Sequence, residues 1–95
     1  MLRISGLIWL EEIVEKIKRK HNVSQDEVRE IFRNSRHFRF VEKGHYREEN
    51  VYSALGQTDA GRYLTVSFVY KKNRQALIVS ARDMTDAERK RYEKK

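Results

Sequence analysis

Near residue 36 the spacing of apolar side chains changes from that of helices to that of strands, and this switch excludes both an all-helical and an all-strand fold. Before it, Leu10, Ile13, Val14 and Ile17 recur at helical spacing, with Glu11 and Glu12 leading and Lys18, Arg19 and Lys20 trailing, as the helix dipole favours. A first helix is therefore expected from about Leu10 to Lys20, stopped by Asn22. Ser24 and Glu27 spell a capping box, with Val23 and Val28 as a hydrophobic staple. The second helix carries an apolar stripe of Val28, Ile31 and Phe32 and ends at Asn34 and Ser35. So short a connection implies helices packed on each other or on a shared sheet.

From Arg36 onward the period is two. Phe38 and Phe40 point one way, and His37, Arg39 and Val41 the other. Beyond a turn at Gly44, Val51, Ser53 and Leu55 alternate with Tyr52 and Ala54 up to a loop expected at Gly56 to Gly61. A strand then begins at Arg62, with Leu64, Val66, Phe68 and Tyr70 on one face. After the turn Lys71 to Arg74, Leu77, Val79 and Ala81 alternate with Ala76, Ile78 and Ser80. Thr85 and Glu88 spell another capping box and open a short basic helix. Leu2, Ile4, Leu7, Ile8 and Trp9 suggest a brief first strand broken by Ser5 and Gly6. The fold class is α+β: one domain over residues 1–95, two N-terminal helices on an antiparallel β-meander of three to four strands, and a short C-terminal helix.

The chain has 95 residues, 21 Lys and Arg against 14 Asp and Glu, and a net charge of +7. Such a surplus favours a polyanion, because neutralised phosphates release their condensed counterions. There is no cysteine, so disulfides and thiol chemistry are excluded. The apolar run Leu7 to Leu10 is far shorter than a membrane span of about 20 residues, so a cytoplasmic protein without a membrane partner is expected.

No phosphate-cradling glycine loop, zinc motif or nucleophile elbow is present, and His21, His37 and His45 lack metal-ligand spacing. No cofactor or metal is expected. RNA offers Arg, Lys, His and Tyr a reaction that needs none, since its 2′-hydroxyl is a nucleophile already in place. His21, closing the first helix, is a candidate acid or base, or else a surface histidine on the last carbonyls. Arg62 is either aimed across the sheet edge or a plain turn arginine. Arg82 either binds phosphate or pairs with Asp83, Asp86 or Glu88. Tyr92 is a candidate proton carrier or a packing residue, and Trp9 a core anchor or a stacking platform.

The stretch from Ile78 to Lys95, IVSARDMTDAERKRYEKK, resembles the C-terminal signature of BrnT-type toxins. Trp9, Lys20 and His21, Val23 to Val28, Glu48 and Glu49, Gly56, Gly61 and Arg62 follow in the same order as in that family. The resemblance implies a RelE-like fold, metal-free RNA cleavage that arrests translation, and a cognate BrnA-like, DNA-binding antitoxin, with DNA contacted only through the complex of the two. Its basic positions fall on Lys20, His21, Arg62 and Arg82, with Tyr92 at the matching tyrosine. On this reading His21, Arg62, Arg82 and Tyr92 are catalytic, and Lys18, Lys20, Arg74 and Arg89 bind RNA. Lys20, His21, Arg62, Arg82 and Tyr92 should then meet on one concave surface.

Asn50 and Asp83 stand where many relatives carry arginine. Each such donor is typically worth about 2.7 to 4 kcal/mol of barrier, so the chain is either a weaker nuclease or uses Arg36, Arg39 or Arg74 instead. Two other functions fit the same charge: a non-catalytic RNA-binding module, and an interaction protein whose basic face meets an acidic partner.

Overall fold

Both helical patterns and the period-two pattern form the elements they specify in the computed structural model, which describes residues 2–34, 37–44 and 49–94. Ser35, Arg36, His45 and Glu48, all named above, lie outside these described residues. A strand β1, Gly6–Ile8, is followed by helices α1, Glu11–His21, and α2, Gln25–Asn34. Four strands come next: β2, His37–Glu42; β3, Asn50–Gln57; β4, Tyr63–Tyr70; and β5, Gln75–Asp83. Helix α3, Asp86–Glu93, completes the described elements.

The helix ends are set by local chemistry. Asn22 adopts a left-handed conformation (φ 53°), its N–H donates to the Lys18 carbonyl at 3.1 Å, and the Val23 N–H donates to the Ile17 carbonyl at 3.1 Å. The bond from Asn22 to Lys18 is that of an αL cap, a place where asparagine tolerates the positive φ. The box at α2 forms in both directions: the Glu27 N–H donates to Ser24 Oγ at 3.1 Å, and the Ser24 N–H to Glu27 Oε1 at 3.0 Å. Val23 and Val28 beside it are fully buried.

The sheet has the order β1-β5-β4-β3-β2. Strands β2 to β5 are the antiparallel meander read from the sequence, with four members. Strand β1 adds a fifth, parallel to β5, so the sheet is mixed. Its pairing with β5 sets Leu7 beside Ala76, and Leu7 packs on the core. One face of the sheet meets α1, over β5, and α2, over β3 and β4. Ile17, Val28, Ile31, Val66, Phe68 and Ile78 fill that interface, with the Phe32 and Phe68 rings edge to face at 5.2 Å. Trp9 packs on the same core, under the Arg29 guanidinium.

Three details differ from the sequence pattern. Gly56 is a buried strand residue opposite Leu64, so β3 runs on to Gln57 and the connection shrinks to residues 58–62. In β5 the buried residues are Ala76, Ile78 and Ala81, because Ser67 pairs with Ser80 while Phe68 pairs with Ile78. The extra residue, Val79, forms a bulge that shifts the alternation by one, which a strict period of two cannot reveal. A second irregularity at Val41 leaves it and Phe40 exposed on the edge strand β2.

Candidate active site

The sheet face turned away from α1 and α2 carries polar side chains in cross-strand rows. His37, Leu55, Thr65 and Arg82 are register neighbours across β2, β3, β4 and β5. Arg39, Ser53, Ser67 and Ser80 form the adjacent row, the serines half-buried and the arginine exposed. Helix α3 lies at the His37 to Arg82 row with none of its residues buried, held by ion pairs, hydrogen bonds and the ring contacts of Tyr92 and Arg89. Beneath it Leu55 and Thr65 are closed off from solvent.

Arg82 is the best-anchored cation on this face. Its Nη1 donates to Glu88 Oε1 at 2.7 Å and to the Asp83 carbonyl at 3.1 Å, and its Nη2 donates to Glu88 Oε2 at 2.9 Å. Glu88 also accepts from Thr65 Oγ1 at 3.0 Å and from the Thr85 N–H at 2.9 Å, while its own N–H donates to Thr85 Oγ1. The carboxyl is driven down to about 2, chiefly by the Arg82 hydrogen bond and further by those from Thr85 and Thr65, and Arg82 is raised in return. The ring of Tyr92 lies 5.9 Å from that of Tyr63 and 6.2 Å from that of His37. The Arg89 guanidinium sits 4.1 Å over the Tyr63 ring, and the Tyr63 hydroxyl donates to Glu93 at 3.0 Å. An anchored guanidinium, an imidazole and a phenol at one end of one sheet face suit phosphate binding and proton transfer.

Arg62 and His21 lie on the other face. Arg62 donates through Nη2 to the His21 carbonyl and through Nη1 to the Asn22 carbonyl, both at 2.8 Å. Its Nε donates to Asp83 Oδ1 at 2.8 Å, and Nη1 also reaches Glu27 at 3.2 Å. The guanidinium thus clips the end of α1 to the start of α2 and the end of β5. The Asp83 hydrogen bond raises Arg62, and the same bond holds Asp83 below the usual carboxylate range with a smaller pull from His21. Aspartate at position 83 therefore serves this clip, where an arginine would repel Arg62.

Lys18 and Lys20 are exposed in the last turn of α1. Arg74 is exposed in the β4–β5 turn, about 25 Å along β5 from Arg82 at about 3.3 Å per residue. The five residues expected to converge do not share one surface: Arg82 and Tyr92 are on the α3 side of the sheet, and Lys20, His21 and Arg62 on the side of α1 and α2. Of the other expected RNA contacts, Arg89 is on α3 and Arg74 is remote. Sequence reasoning left His37 and Thr65 out of the site and named Glu88 there only as one of three pairing partners for Arg82, the one the structure shows. For His37 the signal was present, since period two already turned it away from Phe38. Among the described residues no three His, Cys, Asp or Glu side chains are grouped to hold a metal ion, and no helix is long and apolar enough to cross a membrane.

A search of curated proteins finds no match to the chain. The sequence profile of a family described as the ribonuclease toxin BrnT of type II toxin-antitoxin systems matches residues 9–88, which takes in every element from α1 to β5 and reaches Glu88 in α3. Matched over most of its length by that profile, the chain belongs to the BrnT family of ribonuclease toxins.

Proposed function

We propose that the protein cleaves RNA without a metal ion on the sheet face beneath α3. The 2′-oxygen attacks the adjacent phosphorus, the bond to the 5′-oxygen breaks, and the products end in a 2′,3′-cyclic phosphate and a 5′-hydroxyl. Arg82 holds the phosphate and offsets the charge that builds on its oxygens. His37 and Tyr92 serve the two proton transfers, one taking the 2′-hydroxyl proton and the other supplying the leaving oxygen. Arg89 and Arg39 flank the site as contacts for the RNA backbone. Lys18, Lys20 and Arg74, off this face, add to the long-range field that draws RNA in. His21 and Arg62 act by holding the two N-terminal helices against the sheet. The carrying observation is that His37 and Arg82 stand in one cross-strand row, three strand spacings or about 14 Å apart, with the Tyr92 ring of α3 against His37.

Membership of a type II toxin family entails a protein antitoxin. In this reading the antitoxin is BrnA-like and binds DNA, the toxin meets DNA only within their complex, and RNA cleavage arrests translation in the cytoplasm.

The test is incubation of the purified protein with RNA in excess EDTA. Cleavage to cyclic-phosphate ends is expected, with Arg82→Ala reducing kcat by about 10²-fold or more, and His21→Ala close to wild type in the folded protein. Intact RNA after long incubation, with salt-sensitive binding, would support a non-catalytic RNA-binding module instead.

A further inference from the structure

Arginine carries five N–H donors, and the arrangement around Arg82 commits three of them in a specific way. Both hydrogens of Nη1 are taken, by Glu88 Oε1 and the Asp83 carbonyl, and one hydrogen of Nη2 is taken by Glu88 Oε2. Among the described residues the Nε–H and the second Nη2–H have no hydrogen-bond acceptor. These two lie parallel along one edge of the guanidinium, with the spacing that matches two oxygens of a phosphate. The side chain is 38% exposed, so this edge is reachable.

The anchor is itself fixed. Glu88 is 18% exposed and is held by the Thr65 hydroxyl, by the Thr85 N–H and by its place in the first turn of α3. A guanidinium gripped at its far end by a carboxylate that cannot swing, and at its Nη1 side by a backbone carbonyl, has lost its rotations before any ligand arrives.

We propose that Glu88 is a positioning residue for RNA cleavage, locking Arg82 so that its Nε–Nη2 edge stands as a preformed two-pronged receptor for the scissile phosphate. The proposal rests on the nuclease site described above. It differs from a competitor role, in which Glu88 occupies the seat of the phosphate: the carboxylate takes the Nη1–Nη2 end and leaves the side edge open.

The two roles diverge when the carboxylate is removed. Glu88→Ala takes a negative charge from the site, so binding of a non-cleavable 2′-O-methyl RNA is expected to stay level or tighten. Cleavage is expected to fall, with kcat down about 10- to 100-fold, as an ångström of misplacement typically costs. Guanidinium ion at millimolar concentration is expected to rescue Arg82→Ala when Glu88 is present and not in the Glu88→Ala background. Thr85→Ala, which breaks the helix cap but keeps the carboxylate, controls for α3 and should retain most of the wild-type kcat. A rise in kcat for Glu88→Ala establishes the competitor role and overturns the proposal. So does an equal fall for Thr85→Ala, which would trace the effect to α3 docking. If Arg82→Ala is inactive while Glu88→Ala is fully active, positioning fails and the nuclease site stands. If Arg82→Ala is itself fully active, the site reading fails.

Discussion

Arg62 and Arg82 face each other's strands across one hairpin, yet they work on opposite sides of the sheet. Arg62 shares parity with Leu64, which pairs with Asp83, and Arg82 pairs with Thr65. That difference follows from a register, and a register joins two segments whose relative offset no local pattern states. Hence the residue types of the site were legible in the sequence while their grouping was not. Arg62→Ala strips hydrogen bonds from two helix-end carbonyls and two carboxylates. It should cost about 2 kcal/mol of stability, read by denaturant unfolding, with kcat per folded molecule nearly unchanged. A large loss of kcat in fully folded Arg62→Ala would return Arg62 to the catalytic set. Glu88 gives a signed pH prediction. Its carboxyl titrates at about 2 in the folded protein against an ordinary value of 4.5, so its contribution is complete above that ordinary value and fades as pH falls towards the folded one. The gap in melting temperature between wild type and Glu88→Gln should therefore be widest at neutral pH and close as the solution is acidified towards pH 2.

Elements with their own start and stop signals were read nearly to the residue. Both capping boxes form, and α1 and α2 begin and end within a residue of expectation, because caps and apolar stripes are local properties. The bulge at Val79 and the parallel seat of β1 depend on what lies across the sheet, and the chain announces neither. The two long hairpins share one turn. In the first, the Gly61 N–H donates to the Thr58 carbonyl and the Thr58 N–H to the Arg62 carbonyl; in the second, the Arg74 N–H donates to Lys71 and the Lys71 N–H to Gln75, all at 2.9 Å. The last turn residue has positive φ in both, 93° at Gly61 and 68° at Arg74. Glycine adopts that backbone freely and arginine does not, so Arg74→Gly should stabilise the protein by about 0.5 to 1 kcal/mol, visible as a raised melting temperature. A lower melting temperature would mean that the arginine side chain holds the turn in a way its exposure does not suggest.

As a whole the molecule has two unlike faces. One is sealed by α1 and α2 over an apolar core, and the other carries rows of arginine, histidine and serine beside an apolar row of Val51, Val69 and Leu77, with one thin helix at its end. The cations are of two kinds, for Arg62 and Arg82 are bound to carboxylates while Lys18, Lys20, Arg39 and Arg74 are exposed. Composition therefore pointed to a polyanionic ligand without pointing to the seat where it is held. The attachment of α3 has a consequence for timing. A segment docked without a buried side chain can part from its support while everything beneath stays native, so its amides should take up deuterium well before those of β4. Because ion pairs weaken as salt accumulates, that early exchange should quicken with ionic strength, and the tyrosine riding on α3 should leave its post at salt concentrations the sheet does not feel.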